Sequence, residues 1–114
     1  MASMDEREFE LKADQVLGKL MVEIEDQLPD VEADLQGGIL TIEIEGVGQY
    51  LINKHGPNRE IWLSSPKSGA WHFKHEAGAG WISTRVVDGK RPVLHSLLAD
   101  ELTAVAGESV TLST

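Results

Sequence analysis

Six carboxylates and no base occupy the twelve residues EIEDQLPDVEAD, from Glu23 to Asp34. Carboxylate oxygens are hard ligands, suited to Mg²⁺, Ca²⁺, Mn²⁺ or iron rather than to copper or zinc. Left in water, the same side chains make an acidic face that attracts cations and basic protein surfaces. An EF-hand loop is excluded. Counted from Asp30, the sixth and twelfth positions hold Leu35 and Thr41, where such a loop needs Gly and Glu.

The other groups that could do chemistry are four histidines, His55, His72, His75 and His95. His72 and His75 stand three apart on an expected strand, so they face opposite sides. His95 falls beside an apolar helical stripe, where a partly buried helix residue is expected. His55 sits in a turn and is expected to be exposed, with no second ligand implied by local spacing. No HExxH, Walker loop, GxGxxG or GxSxG occurs, so nothing points to hydrolase chemistry. There is no cysteine. That removes disulfides, thiolate zinc sites, cysteine nucleophiles and an iron–sulfur cluster held by the chain's own thiolates.

The charge is one-sided. Residues 1–45 carry 13 acids and 3 bases, whereas residues 46–114 carry 6 acids and 7 bases. No Lys or Arg occurs between Lys19 and Lys54. Such a field repels nucleic acid and anionic lipid and draws in cations or basic proteins. Crowded carboxylates also predict a stability cost at low salt.

These side chains need elements to position them. The 114 residues suit one domain, 1–114, with a single modest core. No apolar run is long enough to span a membrane, and the acidic start MASMDEREFE resembles neither a signal nor a transit peptide. Residues 5–28 predict a helix, with Phe9, Ala13, Val16, Leu17, Leu20, Ile24 and Leu28 in one stripe, ended by Pro29. Asp14 and Glu25 share a ridge beside that stripe, but eleven residues of rise separate them by roughly 16 Å. They cannot grip one ion together. ILTIEIE, residues 39–45, alternates cleanly and predicts a strand with one wet face. Segments 31–35, 49–54, 60–64, 71–75 and 81–83 read as further strands separated by turns. Leu94, Leu97, Leu98, Leu102 and Val105 mark a second helix that Gly107 ends. The tail ESVTLST is β-prone.

Regular turns without intervening helices predict an antiparallel meander. The expected class is α+β: a two-layer α-β sandwich, with two helices on one face of a five- to six-stranded sheet. The other sheet face meets water. In EIWLS, Ile61 and Leu63 share one face, while Glu60, Trp62 and Ser64 share the other. Trp62 is therefore expected on the open surface. There it either stiffens the sheet by cross-strand stacking or anchors a protein partner, and the pattern leaves both open. Trp71 and Trp81 receive no assignment.

The run GGILTIEIEGVGQYLINKHGPNREIWLSSPKSG, residues 37–69, resembles the frataxin family closely. The shared features are a Gly-led strand, Ile52-Asn53-Lys54, Pro57-Asn58, Ile61 to Pro66 and Ser68-Gly69. LHSLLADEL (94–102) matches the family's second helix and FELKADQVLGKL (9–20) the start of its first. The resemblance implies the same sandwich. It also implies an acidic ridge that binds iron, Fe²⁺ or Fe³⁺, weakly. The ridge carries over to Asp14, Glu23, Glu25, Asp26, Asp30, Glu32 and Asp34, with Glu43 and Glu45 as outlying members. It further implies a sheet surface that docks on the cysteine desulfurase–scaffold complex of iron–sulfur cluster assembly. Asn53, His55, Glu60, Ile61 and Trp62 fall on that surface or its support.

Where many eukaryotic members have Gln, this chain has His55 and Glu60. It also lacks the basic residue that often follows the SGP motif, and residues 90–92 resemble an insertion. The expected role is an iron-binding regulator or iron donor, with a ferroxidase or iron store as the alternative. The expected state is a monomer, with an iron-dependent oligomer as the alternative. The expected location is the mitochondrial matrix, with the bacterial cytoplasm as the alternative.

Overall fold

The computed structural model of the chain describes residues 4–113. Helix α1 spans Glu6–Gln27 and α2 spans Leu94–Ala106. Between them run β1 (Glu32–Gln36), β2 (Ile39–Ile44), β3 (Gly48–His55), β4 (Glu60–Ser65), β5 (Gly69–Glu76) and β6 (Gly80–Ser83). The strands form one antiparallel sheet in chain order. The expected helix–meander–helix sandwich is therefore the observed fold, with six strands.

Local chemistry sets the boundaries. Asp5 caps α1 by accepting the Glu8 N–H at 2.8 Å. Gly107, at φ 74°, ends α2 in the left-handed conformation. Gly37 and Gly38 both have positive φ, and the two-residue turn they form sets Gln36 opposite Ile39.

Both helices pack on one sheet face. Phe9, Ala13, Val16, Leu17, Leu20 and Ile24 of α1 are buried, as are Leu94, Leu98 and Leu102 of α2. The sheet meets them with Leu40, Ile42, Tyr50, Ile52, Ile61, Leu63 and Phe73. Trp71 and Trp81 belong to this core. The start of α1 sets Phe9 edge-on to Trp81 at 6.0 Å, and the helix also contacts β1 at the opposite edge of the sheet. The β-prone tail forms no strand among the described residues. Val110 and Leu112 are buried instead, and both polar groups of the Gln27 amide bond the Thr111 backbone at 2.7 and 2.9 Å.

Two polar clamps fix the helices to the sheet. Lys54 of β3 donates to Glu10 at 2.6 Å and to Asp14 at 2.8 Å on α1. Hydrogen bonds to Asp14 and then Glu10 raise the Lys54 ammonium above its ordinary pKa, against the pull of desolvation. Its stem crosses Gly38 so closely that a Cβ there would lie 2.5 Å from Lys54 Cε. Thus the leading glycine and the distant lysine of the sequence pattern form one contact.

The second clamp is Glu101 of α2. Its carboxylate accepts from the Tyr50 hydroxyl at 3.0 Å, Ser65 at 2.6 Å and Ser68 at 2.5 Å. Ser65 also accepts the backbone N–H groups of Lys67 and Ser68, and Ser68 accepts the Trp71 indole N–H. Burial, then the Glu101 bond and charge, pushes the Tyr50 phenol well above its ordinary value. Removing the carboxylate leaves three hydroxyls without their acceptor, at a cost of roughly 1–3 kcal/mol each before relaxation. We expect Glu101→Ala to lower the melting temperature by about 10 °C or more and Glu101→Gln by clearly less. An unchanged melting temperature for Glu101→Ala contradicts this role.

Candidate functional site

The uncovered sheet face carries the first candidate site. Strand register lines up Ile39, Asn53, Trp62 and His72 in one row across β2 to β5. Trp62 stands near its middle, on the open side where the alternation places it. His55 stacks on one face of the indole, with centroids 3.8 Å apart and planes 10° apart. His72 stacks on the other face at 4.4 Å and 15°. The indole N–H donates to Glu60 Oε1 at 2.8 Å. His72 Nδ1 lies 3.9 Å from the same oxygen.

These contacts fix the orientation of a large, partly exposed aromatic. Stacked aromatic pairs contribute about 0.5–1.5 kcal/mol beyond area burial. An anchor already held in one rotamer loses less entropy when a partner covers it. Cross-strand stacking and partner anchoring, left open by the pattern, are therefore compatible at this residue.

Two expectations for this face need correction and a third is narrowed. His55 is not a free turn residue, because stacking on Trp62 half-buries it and leaves its Nδ1 buried without a hydrogen-bond partner. Glu60 lies on the open side but is only 6 % exposed, with its carboxylate turned to the Trp62 indole. Ile61 points the other way and is fully buried in the core. It supports the surface from beneath and cannot itself touch a partner. Asn53 is half-buried beside Trp62. Sequence spacing missed His72 and Ile39 as members of this row. Their link to Trp62 lies in the strand register.

The second candidate site is the acidic ridge, which the structure divides. Asp14 is held in the Lys54 clamp. Glu23 accepts from the Ser113 backbone at 2.9 Å and its hydroxyl at 2.6 Å. Burial alone would raise the Glu23 carboxyl, but these bonds, with Lys19 and His95, outweigh it and leave the pKa lowered. Glu25, Asp26, Asp30, Glu32, Asp34, Glu43 and Glu45 are exposed. None of these seven makes an ion pair among the described residues.

Four of them gather. Glu32 and Glu43 sit directly opposite each other on β1 and β2. With Asp30 and Glu45 they line an open hollow of about 240 Å³. The four share the hollow without converging on one point. Among the described residues, no three carboxylate or imidazole groups are placed to hold one ion. Hard oxygen donors in this arrangement suit divalent cations or iron held loosely and with much water. Glu25 and Asp26 lie outside the hollow, on α1.

The comparisons with known proteins follow the same lines. A family model described as a frataxin-like domain matches residues 2–108. Mitochondrial frataxin of Arabidopsis thaliana is 35% identical over 96% of this chain, which spans 60% of that protein. The iron-sulfur cluster assembly protein CyaY of Neisseria meningitidis serogroup B is also 35% identical, with 96% and 97% of the two chains covered. Relatives thus include both mitochondrial and bacterial proteins. Among solved structures, frataxin from Psychromonas ingrahamii aligns with a TM-score of 0.81 at 28% identity, covering 97% of this chain and all of the other. Trimeric yeast frataxin complexed with ferrous iron aligns at 0.69 and 31% identity, covering 95% and 91%. A sheet with one bare face, an indole fixed upon it and an acidic edge beside it thus sit in a chain that belongs to the frataxin-like family.

Proposed function

We propose that this protein regulates iron–sulfur cluster assembly by docking its open sheet face on a cysteine desulfurase–scaffold complex, while its acidic edge carries iron loosely as cargo. The observation that carries this reading is Trp62, stacked between His55 and His72 in the middle of an uncovered sheet face. A surface aromatic immobilised in this way suits a binding anchor. The relatives named for iron–sulfur cluster assembly and the yeast neighbour complexed with ferrous iron support the choice of partner and metal.

The acidic edge has two physical roles in this reading. Its field steers a basic partner toward the neighbouring open face. Its carboxylates also supply hard oxygen donors for Fe²⁺. Few donors per ion leave exchangeable water on the metal, so an ion is readily passed on. No converging ligand set among the described residues favours the ferroxidase alternative.

Two outcomes follow. Directly opposed like charges such as Glu32 and Glu43 destabilise a sheet. Salt screens them over about 10 Å at 0.1 M, and divalent cations neutralise them. The melting temperature should therefore rise by several degrees with added salt or millimolar Mg²⁺, and Glu32→Gln/Glu43→Gln should raise it at low salt while shrinking the cation effect. A melting temperature indifferent to both contradicts a strained acidic edge. The docking reading is tested by anaerobic desulfurase activity of a competent cognate complex, with and without this protein. Wild type should change the rate. Trp62→Ala should shift the half-maximal concentration by roughly thirtyfold or more, because a central Trp is typically worth about 2 kcal/mol or more. No effect of wild type, or equal potency of the variant, contradicts docking through this face.

A further inference from the structure

On the helix side of the sheet, at the β6 edge, α1 and the β5–β6 hairpin enclose a groove of about 390 Å³. The acidic hollow lies at the opposite, β1 edge. Lys12, Gln15, Val16 and Lys19 form one wall, spaced at the helical period along α1. His75, Gly80 and Trp81 form the other. Every ionisable group lining the groove is a base. Neither lysine makes an ion pair among the described residues.

His75 reports the local field. Its ring meets Trp81 edge-on at 5.1 Å. Burial holds the imidazole below its ordinary pKa and the Lys12 charge pushes the same way, with Glu8 opposing. At the far end, Lys19 also acts on Glu23, which the Ser113 bonds occupy. In a chain of net charge −9, the long-range field repels anions. An anion held here must be held by local contacts.

We propose that this groove binds a small organic or inorganic polyanion, its negative groups meeting Lys12 and Lys19 and its body lying beside Gln15 and His75, over a floor set by the buried Val16 and Trp81. Seven residues separate the two lysines, a rise of about 10.5 Å. One phosphate or carboxylate does not bridge that span. An elongated anion with several charged groups does so with the help of the flexible lysine stems, and the Gln15 amide can donate between them. The volume falls within the range of small-molecule sites, about 300–1,000 Å³. Carboxylate and phosphate share this chemistry, and the test separates them. The site is independent of the docking face and of the iron-carrying edge.

The test is a nuclear magnetic resonance titration of the full chain, metal-free and at fixed ionic strength, with citrate in one arm and tripolyphosphate in the other. Saturable shifts should cluster at Lys12, Gln15, Lys19, His75, Gly80 and Trp81, and the bound anion should raise the His75 pKa. The anion that saturates names the source. Lys12→Gln/Lys19→Gln keeps good helix formers at exposed or half-exposed positions, so it should fold with the wild-type spectrum yet bind at least tenfold more weakly. Saturation by neither anion, or wild-type affinity in the double variant, overturns the proposal.

Discussion

Two helices can cover only one face of a six-stranded sheet. Once the α1 and α2 stripes are buried against Leu40, Ile52, Leu63 and Phe73, the reverse face has no covering element among the described residues. Everything on it must tolerate water or await a partner. The chain answers with polar side chains along most rows and one large aromatic. Trp62 is tolerated because its ring faces are occupied by His55 and His72 and its N–H by Glu60. The Ile61 side chain beneath it is locked into the core, so the indole stands on a rigid base.

The same constraint places the charges. With the sheet's centre given to the core and the open face, carboxylates accumulate where α1 runs into β1 and β2. Some of that charge is used in the fold itself, since Asp14 meets Lys54 and Glu23 meets the tail. The remainder makes no ion pair among the described residues, and four of its members crowd one hollow. Glu101 acts differently, for its single carboxylate gathers three hydroxyls and thereby ties α2 to β3, β4 and the following turn. One acidic group stabilises the structure because donors surround it. At the edge, Glu32 faces Glu43 directly, and opposed like charges of this kind cost stability.

Much of this was readable in the sequence where the signal is local. The stripe from Phe9 to Leu28, the alternation of residues 39–45 and the diglycine turn fix the helix, the wet-faced strand and the hairpin. They also place Trp62 on the open side. What escaped depends on residues brought together across the chain. The Glu101 clamp joins positions up to 51 residues apart, and the Glu23 clasp joins positions 90 apart. The His55–Trp62–His72 stack requires the strand register, which no periodicity reveals. For the same reason His55 read as a turn residue, and the β-prone tail showed no sign of its contacts with Gln27 and Glu23. Ile61 illustrates the reverse case. Its alternation places it in the core, and only the family likeness drew it toward the docking surface.

The central claim is that the bare sheet face meets the assembly machinery. The most direct test is a photo-crosslinking side chain placed at exposed Ser64 on that face, and separately at exposed Val22 on the outside of α1. With the cognate desulfurase–scaffold complex, the account predicts capture from Ser64 and none from Val22. Capture from Val22 with none from Ser64 would contradict it and move the interface to the helix layer.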